Sequence, residues 1–449
     1  MKHTKFFNHT LEKLKPKIHA WLKFPIIRLK KQFQISILIV ATFLGILYCS
    51  ISPALTQEKP VTIQVLMSAT TATQLEPIQT DFNKTHPNIN LEIVKAPNDT
   101  NLVEDLYTSS FLLGDSPYDL AYMDTVWVPK FAAANWLQDL SEKIDQQQLK
   151  ETYVSGDIEG GTYKNKLYWM PLVSNGGMLY YRTDLLKKGG FEPPNTFEEL
   201  IKISQELQQQ GLVEWGYIWQ GKQYEGLSAM FIEILKGYGG FWINPETNEV
   251  GLDKPEAIEA VDFLRTTITA GISPPGVTTY GEEETRRLFQ SGKTVFLRNW
   301  PYVYPLASKS EIAGKFAIKP MVHASGKESG ACSGGWGLGI VKSTKHPEEA
   351  WEIIQYFNKP EVQRKFILET GLVPARKSLF NDKILVAELP YLPNLFPVVE
   401  NSVLRPPIAQ YAQASDILQR YLSAALTGSR TPELAMKAAA AETRTLLGT

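Results

Sequence analysis

The chain has 449 residues, 43% of them hydrophobic and 21% charged, with two cysteines, six histidines and a formal net charge of −1. Residues 1–56 hold nine Lys/Arg and one acid, so residues 57–449 carry 37 Lys/Arg against 46 Asp/Glu, a net −9 that argues against nucleic acid and anionic lipid as partners. Beyond residue 56 the only cysteine is Cys332 and the histidines (His86, His323, His346) lie far apart, which excludes an intramolecular disulfide and a Cys-based zinc site and leaves no metal or cofactor to expect.

The first element is a leader. Residues 35–54 form an uncharged apolar run behind the basic segment, and small residues stand at Ser52 and Ala54. These are the parts of a secretory signal with cleavage after Ala54. The run also approaches the ~20 residues that span a bilayer, so residues 1–56 read as a signal peptide or, second, an uncleaved anchor. Lipidation at Cys49 ranks third, because Tyr48 before it is bulky. In each case the remainder is expected outside the cytoplasmic membrane, with the basic side kept inside.

Val61–Val65 alternates as a strand. A helix follows with Leu75, Ile78 and Phe82 on one face, stopped near His86-Pro87, and Ile89, Leu91 and Ile93 alternate again. This β-α-β opening implies parallel strands. Tyr118–Tyr122 reads as a third strand, with Asp124 at its C-terminal end and a helix through Phe131 to Ala134 after it. Thr196 and Glu199 make a capping-box pattern that starts a helix through Gln210. Helices are expected over 255–270 and 282–290, a strand over 294–297, a helix pair over 347–358 and 360–370 ended by Gly371, and Ala-rich helix over the last ~40 residues. About 390 residues exceed one core, so two α/β lobes are expected. No Pro/Gly/Ser-rich linker separates them. The chain is therefore expected to cross between lobes more than once, near Pro171–Asn175 and Ser333–Gly337.

No GxSxG, P-loop, HExxH or dinucleotide fingerprint is present. Glu282-Glu283-Glu284 reads as the solvated first turn of a helix. What stands out is a set of polar and aromatic residues at strand ends and breaks. Asp124 follows a strand, where capping the next helix is the competing role. Asn175 lies in Ser-Asn-Gly-Gly, where turn-making competes. Trp300 and Tyr302 flank Pro301, Trp336 sits within Gly334-Gly-Trp-Gly-Leu-Gly, and Arg405 precedes two prolines. Glycines beside Trp336 would let backbone approach a ligand and an indole project into a cleft. In open α/β sheets, ligands bind beyond the carboxyl ends of strands. A pyranose suits such residues: its C–H face lies on an aromatic ring, and its hydroxyls pair with Asp, Asn and Arg.

At these residues the chain resembles the extracellular solute-binding proteins of sugar ABC importers, in the trehalose/maltose-binding group. The matching stretches are Asp124-Thr-Val-Trp127 with Phe131 and Trp136–Leu140, Leu179–Leu186 through Pro193-Pro194 to Leu200, Trp219-Gln-Gly-Lys-Gln-Tyr-Glu-Gly226, and Gly335–Ile340 with the Pro-Glu-Glu-Ala-Trp helix after it. The likeness covers nearly all of residues 60–430. It implies an α/β fold of the two-lobe periplasmic-binding-protein kind (type II, maltose-binding-protein-like), with a ligand cleft between closing lobes. The first lobe would span 57–172 and 336–385, the second 173–335 and 386–449. It implies sugar contacts at Asp124, Asn175, Trp300, Tyr302, Gly335, Trp336 and Arg405. Thr70, in the early Ser68–Thr71 loop, and Tyr224 and Glu225 are further ligand-binding candidates. Relatives often carry Asp where this chain has Asn175, and some place an acid in the early loop. The sugar therefore stays open among trehalose, maltose, sucrose and a glucosylated polyol.

The implied function is that of a monomeric receptor, not an enzyme, that delivers its sugar to membrane permease subunits of an ABC importer. Two readings compete. One is an extracytoplasmic glycoside hydrolase using carboxylates such as Asp124 and Glu225. The other is a receptor of the same fold for a non-sugar solute such as a polyamine, which would need a cleft with more carboxylates than aromatics.

Overall fold

A computed structural model describes residues 59–449. The leader and the fates weighed for it lie outside the described residues. Among the described residues no helix is long and apolar enough to cross a membrane.

The chain opens as its alternation requires. β1 (Val61–Ser68), α1 (Ala69–Thr85) and β2 (Ile89–Ala96) form a β-α-β unit whose strands pair in parallel. α1 buries Ala72, Leu75, Ile78 and Phe82, one stripe at helical spacing. It stops where the His86 amide closes on the Phe82 carbonyl, with Pro87 unable to continue the ladder. Asp99 caps α2 (Thr100–Leu112), its carboxylate accepting from the Asn101 and Leu102 amides. β3 (Leu120–Asp124) is buried at every residue and lies two residues later than the alternation suggested, so Asp124 ends the strand instead of following it.

β4 (Met170–Ser174) completes this passage, and β5 (Met178–Arg182) begins a second sheet. α3 (Phe197–Gln209) starts with both bonds of its capping box, Thr196 Oγ1 accepting from the Glu199 amide and Glu199 Oε2 from the Thr196 amide. Then come β6 (Trp215–Ile218), α4 (Glu225–Gly237), α5 (Pro255–Thr269), α6 (Glu282–Gln290), β7 (Thr294–Asn299) and β8 (Phe316–Lys319). β7 runs two residues past Leu297 because Arg298 and Asn299 are buried and paired. The chain returns through β9 (Trp336–Ile340), α7 (Pro347–Phe357), α8 (Pro360–Thr370) and β10 (Val373–Pro374), then ends in α9 (Leu392–Glu400), α10 (Tyr411–Leu426) and α11 (Pro432–Leu447).

The strands form a six-stranded mixed sheet, β10-β4-β9-β3-β1-β2, and a four-stranded sheet, β8-β5-β7-β6. Three extended segments lie side by side between them. Gly176 bridges Ser333, and Cys332 bridges Val403. The Ser333 amide donates to Val403 and the Val403 amide to Ala331, at 2.9 and 2.7 Å. Two of these segments lie near the crossings read from sequence, but are shorter: Pro171–Ser174 already belongs to β4, and Trp336-Gly337 to β9. The third, at residues 401–405, carries no linker-like composition.

Candidate ligand-binding site

A cavity of about 190 Å³ lies between the two sheets, beside the crossing segments. Two larger hollows, at Tyr280–Lys293 and along α10 and α11, are open surface grooves without a comparable set of buried polar groups.

From the six-stranded sheet come Asp124 and Trp336. β3 and β9 are antiparallel and place Trp336 opposite Asp124, so the pair stands at the carboxyl end of β3. Trp336 stacks on Tyr122, with ring centroids 5.1 Å apart, and meets Trp127 edge-on at 5.3 Å. Thr100, at the start of α2, adds a hydroxyl. Asp124 has both roles weighed for it: its Oδ1 accepts from the Val126 amide at 3.3 Å, capping the next turn, and from Arg405 Nη2 at 2.6 Å.

The opposite wall is aromatic and acidic. Tyr224, Glu225, Gly226 and Ala229 come from the start of α4, Glu282 from the start of α6, and Trp300 and Tyr302 from the turn after β7. Gly226 is required here, since a Cβ would meet the Tyr224 hydroxyl at 2.1 Å. Trp300 lies over the Arg298 guanidinium, 4.1 Å from ring centroid to Cζ. Arg298 is itself fully buried and paired with Glu233.

The crossing segments supply Asn175, Gly334 and Arg405. Asn175 Nδ2 donates to the Gly334 carbonyl at 3.3 Å, and its Oδ1 is buried without a partner. Arg405 joins the two walls. Nη2 donates to Asp124 and Nη1 to Glu225 Oε1 at 2.7 Å, while Nε has no partner. Glu225 also accepts from the Tyr411 and Ser415 hydroxyls, at 2.5 and 2.6 Å. Burial nonetheless pushes its carboxyl above the usual range.

Eight of the ten candidate residues thus line one cavity. Two do not. Thr70 is exposed on the first turn of α1, its amide bonded to Asn98 Oδ1, and Thr100 takes the place expected for it. Gly335 stands behind the wall, where a Cβ would meet Asp157 Oδ1 at 2.6 Å and Trp169 at 3.2 Å. The glycines after Trp336 serve packing as well: a Cβ at Gly337 would strike the Met170 carbonyl and Trp169, and one at Gly339 the Met123 side chain. Only Gly334 of that run reaches the cavity. Glu282 and Glu283 are a further correction. The turn is solvated at Glu283 and Glu284, which are exposed, but Glu282 lines the cavity, and Glu283 also accepts from the Tyr302 hydroxyl at 2.8 Å. Spacing could not reveal this, because acids in a first turn also suit the helix dipole alone.

The family model of bacterial extracellular solute-binding proteins matches residues 68–364. The chain belongs to that family. Among its relatives is a probable ABC transporter-binding protein of Deinococcus radiodurans, 32% identical over 77% of this chain and 84% of that protein. A maltotriose-binding protein of Pyrococcus abyssi is 26% identical over 57% of this chain and 54% of its own length. The maltose-bound MalE3 structure of T. maritima is 34% identical, covers 86% of this chain and all of that one, and superposes with a TM-score of 0.81. The fold is therefore the two-lobe, maltose-binding-protein-like one. Family membership places the chain among binding proteins that work outside the cytoplasm.

Proposed function

We propose that the chain is the extracytoplasmic receptor of a sugar importer, holding a di- or oligosaccharide-type solute between two lobes. The first lobe is built on the six-stranded sheet, the second on the four-stranded one. The observation that carries this reading is the composition of the cavity: four aromatic rings and a guanidinium that joins a carboxylate from each wall. Indole faces suit the C–H face of a pyranose, and Asp, Asn and Arg suit its hydroxyls. The maltose-bound and maltotriose-binding relatives support the same class. Aromatics outnumber the three carboxylates, Asp124, Glu225 and Glu282, which disfavours a polyamine. Asp124 and Glu225 are both engaged by Arg405, which also disfavours a hydrolase needing one of them free as an acid.

In this reading Trp300 and Trp336 stack on the sugar, and Asp124, Asn175 and Arg405 hold its hydroxyls. Ligand favours the closed state in proportion to its extra affinity for it. The closed protein then docks on the permease subunits.

The test is a thermal-shift screen of residues 57–449 against disaccharides, glucosylated polyols, polyamines and amino acids. A ligand that binds only the folded state raises the melting temperature by mass action. A rise with a sugar supports the reading, and a rise confined to a polyamine or amino acid overturns it. Trp336→Ala is expected to weaken sugar binding at least tenfold while leaving a single melting transition. Release of reducing sugar from a glycoside would instead favour the hydrolase.

A further inference from the structure

The polar edges of the aromatic wall are already occupied. Trp300 Nε1 donates to Glu282 Oε1 at 3.3 Å, and the Tyr224 hydroxyl donates to Glu282 Oε2 at 2.5 Å. The Tyr302 hydroxyl donates to Glu283 Oε1 at 2.8 Å. Three of the four cavity aromatics thus hang from two consecutive residues of one helix turn. That turn is held in place. The Glu282 carbonyl accepts from Asn299 Nδ2 at 3.1 Å, Glu284 Oε2 accepts from the Gly281 amide at 3.0 Å, and Arg286 brackets the Glu283 carboxylate. The positive end of the α6 dipole favours anionic acceptors at this place.

We propose that Glu282 and Glu283 are positioning residues that fix the aromatic wall and consume its donors, so that these rings offer the ligand their faces and not their N–H and O–H groups. The inference rests on the receptor reading above for its ligand arm. A second observation supports it independently. The buried polar atoms at the cavity that lack partners belong to Asn175 (Oδ1) and Arg405 (Nε), on the crossing segments; those of Tyr224, Glu282, Trp300 and Tyr302 are satisfied. A buried unpaired polar atom is costly, and Asn175 and Arg405 both line the cavity, so these two side chains keep hydrogen-bonding capacity for ligand hydroxyls. Recognition is then divided: stacking on the α4–α6 side and on Trp336 across from it, hydroxyl reading by Asn175, Arg405 and Asp124.

Without ligand, Glu282→Gln leaves one carbonyl oxygen for two donors, so the Tyr224 hydroxyl must turn to accept from the new amide or the indole N–H loses its partner. The near-ultraviolet circular dichroism and acrylamide quenching of Trp300 are expected to change, relative to the wild type, while Trp300→Phe abolishes that change. Unaltered spectra in Glu282→Gln would overturn the clamp whether or not a sugar has been found. With maltose and trehalose as probes, Glu282→Gln is expected to weaken binding about tenfold, mainly through a faster off-rate. Tyr224→Phe added to Glu282→Gln is expected to cost less than about threefold more, since the tyrosine hydroxyl makes no ligand contact. A further tenfold loss would show that this hydroxyl does bind sugar and would overturn the division. If neither disaccharide shifts the wild-type melting temperature, the receptor reading loses its sugar, while the spectra still decide the clamp.

Discussion

Asp157 is a buried carboxyl group whose charge state the fold constrains. It is 1% exposed, packed against the backbone of Gly335, with Oδ2 lacking any partner. Burial pushes its carboxyl well above the usual range, the Ser174 hydroxyl pulls it down, and Glu400 nearby adds like charge that Lys377 offsets at 2.9 Å. Between the ordinary value near 3.9 and its raised value, the folded state holds a proton that the unfolded state has lost. The stability tied to this proton is fully present below about pH 4 and is lost as pH rises through the folded pKa. In that window the slope approaches about 1.4 kcal/mol per pH unit. Asp157→Asn cannot ionise, so it is expected to melt above the wild type at pH 8, with the gap narrowing as pH falls and closing below about pH 4. Thermal melts of both proteins across this range test it, and a gap that does not vary with pH would show that Asp157 is ionised in the folded state.

The elements that touch the site differ in how openly the sequence displays them. Capping boxes, the Leu75–Ile78–Phe82 stripe and the alternation of β1 and β2 are local patterns, and helices and strands followed them closely. Trp300, Tyr302 and Trp336 were legible because Pro and Gly mark the breaks where strands end. The Arg405–Glu225 pair joins residues 180 positions apart, and Glu233–Arg298 residues 65 apart, so no spacing rule exposes either. Among the acids of α6, Glu282 could not be told from its exposed neighbours Glu283 and Glu284, because a helix start explains all three equally well. Gly177 shows the same limit. In sequence it is half of a Gly-Gly turn; in the structure a Cβ there would lie 1.8 Å from Glu233 Oε1 and 2.4 Å from Arg298 Nη2. Glu233 Oε1 also accepts from the Cys332 amide at 3.1 Å, tying α4 to the second crossing segment. Gly177→Ala must displace this fully buried pair. Leaving such charges uncompensated costs about 3–5 kcal/mol. A fall in melting temperature of about 4–6 °C is expected, and a shift under about 2 °C would mean that the pair moves aside without being broken.

At the scale of the whole molecule, Arg405 is the residue that couples the parts. It sits on the third crossing segment and bonds a carboxylate from the end of β3 and another from the start of α4. Opening the cleft must break at least one of these bonds, and a ligand held as proposed, between Trp336 on one wall and Trp300 on the other, needs the walls close. Ligand binding and closure should therefore be one thermodynamic event. Residues 57–449, a compact chain of 393 residues, have a radius of gyration of about 21 Å. Small-angle scattering with saturating sugar is expected near that value, and without sugar above it. In Arg405→Ala both the cross-wall bonds and one hydroxyl partner are lost, so the affinity is expected to fall at least tenfold and the scattering change on adding sugar to shrink. The outcome that would sink this coupling is a wild-type protein whose melting temperature rises with sugar while its scattering curve stays the same. Binding would then occur in a pre-closed cleft, and Arg405 would be a ligand contact without a role in the motion.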